Sequence, residues 1–497
     1  MSTLYRSTRD ENAEPITASQ AVLQGLSPDG GLYVPTKLTK INVALENLVS
    51  LTYQELAYQI LQPFFSDYTA EELRNCINAA YADNFSTPVI APVTYYAGNA
   101  YLELFHGPTI AFKDIALQLL PHLLTTAAKK NNSTKEIVIL TATSGDTGKA
   151  AMAGFANVDK TQICVFYPKD GVSPIQEKQM VTQTGNNTHV IGITGNFDVA
   201  QTNVKNIFNN KTLVKKLADR GYQFSSANSI NIGRLFPQIV YYFYAYGQLI
   251  KDKKIKCGQK VNFSVPTGNF GDILAGYFAK KLGLPINKLI CASNKNNVLT
   301  DFFNEGVYDK KRPFYVTSSP SMDILVSSNL ERLLFYISNE DAKTTADLMS
   351  QLNTTGQYSL TDLMKANLTD FAAGYASEEQ TLAEIARVYS EENVAIDPHT
   401  AVASAVANQY KKATGDLTPM IVVSTASPYK FPQTVLSALG DSTSVSGLES
   451  VKLLHEKIKT PLPETVKKLF KATTIHNTVV TPEKMEQAVK QLLLKEN

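Results

Sequence analysis

Along the chain, short apolar runs alternate with longer stretches whose apolar positions recur at helical spacing. The runs at 137–142, 163–167, 189–193, 261–265, 289–293 and 420–424 are mostly β-branched or apolar, as strands covered on both faces tend to be. The segments between them, for instance 147–157, 174–184 and 234–251, read as helices. This alternation predicts α/β layers with mostly parallel strands. Folds of that class bind ligands at the carboxyl ends of their strands. Ahead of the alternation, residues 1–85 read as a separate opening unit. Turn formers crowd 27–35, with Gly30 and Gly31 at a tight turn before a short strand, and 51–63 and 70–82 carry helical periodicity. Residues 348–377 read as a polar, helical surface excursion, and 436–497 as a basic helical extension packed on the outside.

Composition narrows the class. A chain of 497 residues has room for two to four domains. Its formal charge of +2 gives no electrostatic case for nucleic acid or an anionic membrane. The cysteines, Cys76, Cys164, Cys257 and Cys291, form no CxxC pair, and Cys164 and Cys291 lie in apolar runs. They read as reduced core thiols. No histidine spacing suggests a metal site. Residues 1–15 lack the apolar core of a signal peptide. No window approaches the roughly 20 apolar residues of a membrane span. A cytoplasmic protein is expected.

One stretch, 102–118, concentrates the chemistry: LELFHGPTIAFKDIALQ. The turn-forming His106-Gly107-Pro108-Thr109 precedes Lys113 and Asp114, and Ile115, Leu117, Leu119 and Leu120 follow at helical spacing. A loop thus delivers Lys113 to the first turn of a helix. There the positive end of the helix dipole disfavours its charge, and burial beside Ile110, Phe112 and Ile115 disfavours it further. A lysine kept partly neutral attacks carbonyls and forms Schiff bases. The alternative is an ordinary surface lysine.

Other loops supply anion-binding chemistry. The run 137–142 leads into Thr143-Ser144-Gly145-Asp146-Thr147-Gly148 and a helix. Hydroxyls and free N–H groups at a helix N-terminus hold a carboxylate or phosphate; N-capping by Ser144 or Asp146 is the competing reading. The run 261–265 leads into Pro266-Thr267-Gly268-Asn269-Phe270-Gly271-Asp272 and a helix over 273–282. Gly268 and Gly271 let the backbone approach an anion closely, or make a structural turn. This is neither a Walker A loop nor a GxGxxG fingerprint. Residues 226–234, SANSINIGR, gather two amides, a hydroxyl and a guanidinium. Arginine suits bidentate binding of phosphate, against the alternative of a polar helix start capped by Asn231. Asp397-Pro398-His399-Thr400-Ala401 reads as a capped helix start.

Together these motifs resemble the threonine synthase family. Residues 106–114 match HGPTxAFKD at every fixed position, 143–148 match TSGDTG, 228–234 match NSxNxxR and 268–272 match GNFGD. DPHTA recurs at 397–401 and (S)TAxPxKF at 424–431, residues 318–324 resemble a further family segment, and 5–9 and 18–35 resemble the family's N-terminal domain. The resemblance covers most of the chain. It implies the fold type II of pyridoxal-phosphate enzymes, like tryptophan synthase β: two open α/β lobes with the active site between them, plus a small N-terminal domain. The division it suggests is 1–85, a catalytic core over 86–435 with a smaller lobe inserted at about 135–225, and 436–497.

The implied cofactor is pyridoxal phosphate, carried by Lys113. The resemblance puts its phosphate on Gly268, Asn269, Phe270 and Asp272, with Gly271 in the same turn, and puts Thr425 at the pyridine nitrogen. It assigns Ser144 and Thr147 to the substrate's α-carboxylate, and Asn228, Ser229 and Arg234 to the substrate's phosphate. The implied reaction is O-phospho-L-homoserine plus water to L-threonine plus phosphate, with Lys113 as general base. The partner is a small molecule, with no nucleic acid and no membrane, and the enzyme a monomer or homodimer. Three alternatives stay open: a phospho-lyase that yields 2-oxobutyrate, a serine/threonine dehydratase or cysteine synthase of the same fold, and a silent binding protein. The chain departs from the pattern at Asp146, where many relatives have asparagine, at Ile232, where proline is usual, and at Ser427, where histidine is common.

Overall fold

Two parallel sheets organise the chain, and a computed structural model describes it over residues 3–495, apart from 39, 42, 144, 442 and 443. The larger sheet runs, in spatial order, Phe371–Tyr375, Ile286–Ser293, Val261–Pro266, Met420–Ser424, Asn99–Glu103 and Val93–Tyr96. All neighbours are parallel except the last pair, an antiparallel hairpin. That hairpin turns through Ala97 and Gly98, both at positive φ, the two-residue turn whose twist suits adjacent strands. The smaller sheet runs Val479–Val480, Thr188–Ile193, Thr161–Pro168, Glu136–Ala142 and Tyr222–Ser225, and is parallel throughout. Val261–Pro266 is buried at every position, because helices cover both faces of a parallel sheet. All six strands expected from the apolar runs form, within a few residues of the expected ends.

Helix Lys113–Lys130 presents a buried face that includes Ile115, Leu117, Leu119, Leu120, Leu123 and Leu124. Helix Asp146–Phe155 crosses it closely at Gly154, where a Cβ would stand 2.0 Å from the Leu117 carbonyl oxygen. The helix behind Lys113 is thereby locked to the helix that begins at Asp146.

In the opening segment, Tyr5–Ser7 pairs antiparallel with Tyr33–Pro35. Helices Tyr53–Leu61 and Ala70–Ala80 each begin at a capping box, Thr52 with Glu55 and Thr69 with Glu72. Leu56, Ile60, Leu73 and Ile77 of these helices belong to the same buried cluster as Leu119, Leu123 and Tyr242.

Two segments differ from expectation. Residues 348–377 are not a helical surface excursion. Gln357–Ser359 pairs with Val307–Asp309, and Phe371–Tyr375 is an edge strand of the larger sheet. Leu348, Leu352, Tyr358 and Met364 are buried. The centre of the strand FAAGY, Ala372-Ala373-Gly374, is built of small residues with weak strand preference and shows no alternation, so its pairing is imposed by the neighbouring Ile286–Ser293. Within 436–497, Gly447–Ile458, Glu464–Leu469 and Met485–Leu494 are helical as expected, but Val479–Val480 joins the smaller sheet beside Thr188–Ile193. Cys76, Cys164 and Cys291 are buried, Cys257 is exposed and all four are free. No helix among the described residues is long and apolar enough to cross a membrane.

Candidate active site

The loop that carries Lys113 is built around Asp114. Its carboxylate accepts from the Thr109 N–H at 2.8 Å and the Thr109 hydroxyl at 2.6 Å. Gly107 is required for that closeness, since a Cβ there would stand 2.5 Å from Asp114 Cβ. Burial pushes the Asp114 carboxyl up to about 6, against the pull of Thr109 and Lys430. The loop is stitched to the end of the central strand Met420–Ser424. Phe112 N–H donates to the Thr425 carbonyl at 2.8 Å, Ser427 N–H to the Ile110 carbonyl at 3.1 Å, and Ala111 pairs with Ala426. Thr425 therefore lies beside the start of helix Lys113–Lys130. Lys113 is the first residue of that helix and is partly exposed. Burial pulls its amine down to about 8, helped by Arg234 and Lys430 and opposed by Asp146.

The second loop follows strand Glu136–Ala142. Thr143 Oγ1 accepts from the N–H groups of Gly145 and Gly148, each at 3.0 Å. The start of helix Asp146–Phe155 is therefore held by Thr143, and not by Asp146. Ser144, expected at a substrate carboxylate, lies outside the described residues. Thr147 is partly buried in the first turn. The Asp146 carboxylate is buried and receives Gln176 Nε2 at 2.8 Å, Ser321 Oγ at 3.0 Å and Lys430 Nζ at 3.1 Å. Burial alone would push this carboxyl up, but Lys430, Lys113, the Gln176 amide and His399 hold it well below the usual carboxylate range.

The third loop follows Val261–Pro266. Phe270 takes a left-handed φ of 64° and Gly271 opens helix Gly271–Lys281. Gly268 passes against residues 321–322, where a Cβ would stand 2.7 Å from the Ser321 carbonyl oxygen. The Gly268 carbonyl accepts from Ser327 Oγ at 2.7 Å, and the Asn269 carbonyl from Asn329 N–H at 3.0 Å and Nδ2 at 3.1 Å. The carbonyls are thus satisfied from behind. The backbone N–H groups of Gly268 through Asp272 donate to no other described residue. A Cβ at Gly271 would stand in ordinary van der Waals contact, 3.5 Å from Ser229 Cβ and Asn329 Nδ2 and 3.8 Å from Gln238 Nε2. Asp272 Oδ1 accepts from Tyr241 at 2.5 Å and Tyr242 at 2.8 Å, while its buried Oδ2 has no partner. Burial pushes the Asp272 carboxyl up to about 6, with the two tyrosine hydroxyls pulling down.

The fourth loop follows Tyr222–Ser225. Asn231 caps the short helix Ile232–Leu235, accepting from Gly233 N–H at 2.9 Å and donating to the Val22 carbonyl at 2.9 Å. Ile232, in the usual proline position, opens that helix. Ser229 Oγ accepts from Asn329 Nδ2 at 3.0 Å, and Asn228 is exposed. Arg234 is 5% exposed, donates Nη1 to the Ala227 carbonyl at 2.9 Å, and makes no ion pair among the described residues. His399 Nε2 accepts from the Ser321 N–H at 3.2 Å, which leaves Nδ1 to donate to Asp397 Oδ2 at 2.7 Å. Asp397 also caps helix Pro398–Thr414, so His399 holds the 321 backbone and helix start together.

The structure thus converges all four loops at strand carboxyl ends. Lys113 adjoins Thr425. Lys113, Asp146 and Arg234 interact electrostatically, and Ser229 borders the Gly271 turn. Several residues at the site had no assigned role in the sequence reading: Thr143, Ser321, Asn329, Arg332 and Lys430. Arg332 is 0% exposed and donates to the carbonyls of Tyr33 and Ile230 and to Asn329 Oδ1. Thr143 and Lys430 stand inside recognised motifs and were open to assignment; Asn329 and Arg332 stand in no motif.

Known proteins resemble this chain over most of its length. The family model for the threonine synthase N terminus matches residues 4–81, that for pyridoxal-phosphate dependent enzymes matches 100–426, and that for the threonine synthase C-terminal region matches 400–493. The threonine synthase-like 1 protein of Homo sapiens is 42% identical over 434 residues, which cover 85% of this chain; the chain spans 58% of that relative's length. The threonine synthase of Pseudomonas aeruginosa is 40% identical, over 87% of this chain and 90% of that one. The crystal structure of PLP-bound threonine synthase from Brucella melitensis superposes with a TM-score of 0.87 at 36% identity, covering 99% of each chain.

Proposed function

The chain belongs to the threonine synthase family of pyridoxal-phosphate dependent enzymes, and on that premise we propose that it converts O-phospho-L-homoserine and water to L-threonine and phosphate. Pyridoxal phosphate is the cofactor, and the residues present fit it. Lys113 offers an amine held down to about 8. The turn from Gly268 to Asp272 offers undonated backbone N–H groups at a helix N-terminus. Gly268, Asn269, Phe270, Gly271 and Asp272 would hold the cofactor's phosphate and Thr425 its pyridine nitrogen. When bound, the cofactor supplies an electron sink for charge left at Cα of an amino-acid substrate.

Arg234 is the observation that carries the substrate. A buried guanidinium without a carboxylate partner is unfavourable unless an anion meets it, and Arg234 has none among the described residues. It also lies near enough to Lys113 to depress its proton affinity. We assign Arg234, with Ser229 and Asn228, to the substrate's phosphate. As the Cγ–O bond breaks, the phosphate leaves with the electron pair and Arg234 stabilises that charge. The Lys113 amine removes the proton at Cα and then one at Cβ, whose electron pair forms the Cβ–Cγ double bond as phosphate leaves; protons return at Cγ and Cα, and water adds at Cβ. Thr147, Ser144 and the N–H groups at the start of helix Asp146–Phe155 hold the α-carboxylate. The proposed organisation is an N-terminal unit over 1–85, a core over 86–435 and an extension over 436–497. Four free cysteines suit a reducing cytoplasm, and a monomer or homodimer suffices for a site built from one chain.

The deciding experiment is product analysis of the purified holoenzyme with O-phospho-L-homoserine. Threonine and phosphate in equal amounts are expected. Phosphate accompanied by 2-oxobutyrate, or absence of turnover, would overturn the reading.

A further inference from the structure

Lys430 lies in the interior, 0% exposed, at the end of the short turn Pro428–Lys430. Its Nζ donates to the Thr109 carbonyl at 2.8 Å and stands 3.1 Å from Asp146 Oδ1. It therefore joins the loop that delivers Lys113 to the helix start that carries Asp146. A fully buried ammonium is tolerated only with a close counter-charge and satisfied donors, so Lys430 requires Asp146 in its ionised form. Gln176 and Ser321 complete that carboxylate's partners. The other charged or titratable groups acting on this place are Lys113 and Asp114 on one helix, Lys149 on the next, Arg234 and His399. Cations outnumber carboxylates here, and Lys113 and Lys430 compete for one of them, Asp146.

We infer that Lys430 is a positioning residue: by holding the Asp146 carboxylate and the Thr109 carbonyl, it keeps Asp146 from pairing with the Lys113 amine, which stays free to take up a proton. Two electrostatic effects support this arrangement. Lys430 lowers the proton affinity of Lys113 directly, and Asp146, which raises it, is neutralised by the same lysine. The role rests on Lys113 being the reactive amine.

The test reads the proton affinity of Lys113 itself. The full-length chain, freed of cofactor, is labelled with trace acetic anhydride across pH 6–11, and the extent of Lys113 acetylation is measured by peptide mass spectrometry. Lys113 is partly exposed, so the reagent reaches it. The half-point in the wild type is expected at about 8. Lys430→Met should move it upward, about tenfold or more in proton affinity, while Lys430→Arg leaves it near the wild type. Asp146→Asn should move it downward. Opposite shifts from the two partners are not produced by loosened packing. An unchanged half-point in Lys430→Met overturns the proposal. An unchanged or raised half-point in Asp146→Asn also overturns it, even where Lys430→Met is too unstable to measure. Labelling does not depend on which phosphorylated substrate the enzyme accepts, so failure here is distinguishable from failure of the functional reading.

Discussion

At the scale of single residues, burial decides protonation and charge pairing. Lys113 is kept partly neutral chiefly by desolvation, and Arg234, whose proton affinity burial also lowers, to about 10, has no carboxylate partner among the described residues. Arg234 separates this function from relatives that share the cofactor. Arg234→Ala should leave cofactor affinity and its visible absorbance near the wild type, because the cofactor's phosphate is assigned to the Gly268–Asp272 turn. It should lower kcat/KM for O-phospho-L-homoserine by about 30- to 1,000-fold, the loss of a charge-assisted contact of about 2–4 kcal/mol. Affinity for an unphosphorylated amino acid should change little. Equal losses for phosphorylated and unphosphorylated ligands, measured by steady-state kinetics and ligand titration, would remove Arg234 from the substrate phosphate.

Elements deliver these residues through helix starts, and each start has its own device. Thr143 holds two N–H groups at the first turn of Asp146–Phe155. Thr143→Val should destabilise that turn by about 1–2 kcal/mol, seen as a lower thermal midpoint, and raise KM because the loop assigned to the α-carboxylate loosens. Thr143→Ser keeps the hydroxyl and should recover most of both; a valine variant with wild-type stability would show that the cap contributes nothing. At the start of Gly271–Lys281 the device is a run of undonated N–H groups rather than a cap. The nearest atoms to an added Cβ at Gly271 are 3.5 Å away and its φ is not left-handed, so Gly271→Val should fold. It should nonetheless bind pyridoxal phosphate much more weakly, because the branched side chain occupies the space assigned to the phosphate. Equilibrium dialysis of cofactor against the variant checks this, and undiminished affinity would place the phosphate elsewhere.

The whole molecule adds the connections between distant segments. Arg332 joins the N-terminal strand at Tyr33 to the Ile230 loop and, through Asn329, to the Asn269 turn. One residue earlier, Glu331 accepts from Arg9 at 2.8 and 2.6 Å and from Thr8 at 2.5 Å. The opening segment therefore buttresses, from outside the sheets, both loops assigned to phosphates. Arg332→Met keeps the apolar stem but leaves buried acceptors without donors. It should cost about 3 kcal/mol or more, read as a fall in thermal midpoint, and kcat/KM should fall with it. Loss of stability without loss of kcat/KM, compared well below both midpoints, would confine Arg332 to the scaffold.

The sequence by itself determined much of the layered fold and singled out Lys113 as the candidate reactive lysine. Apolar runs, helical periodicity and glycine-rich turns are local signals, set by which face of a segment is buried and which backbone angles a turn needs. The strands at 137–142, 261–265 and 420–424 and the loops after them were legible for that reason. Weakly patterned edges were not: FAAGY at 371–375 and the two-residue strand at 479–480 pair only because a neighbouring strand offers its edge. The capping reading of Asn231 and of Asp397 held, whereas at the 143–148 loop the N–H groups of Gly145 and Gly148 are held by Thr143 and not by Asp146, with Ser144 outside the described residues. What only the tertiary structure decided is the wiring behind the site. Lys430 reaches Thr109 across 321 positions, and Ser321 reaches Asp146 across 175. A buried charge is tolerated only by its spatial partners, and spatial partners this far apart in the chain are fixed by sheet order and layer packing, which no local pattern records.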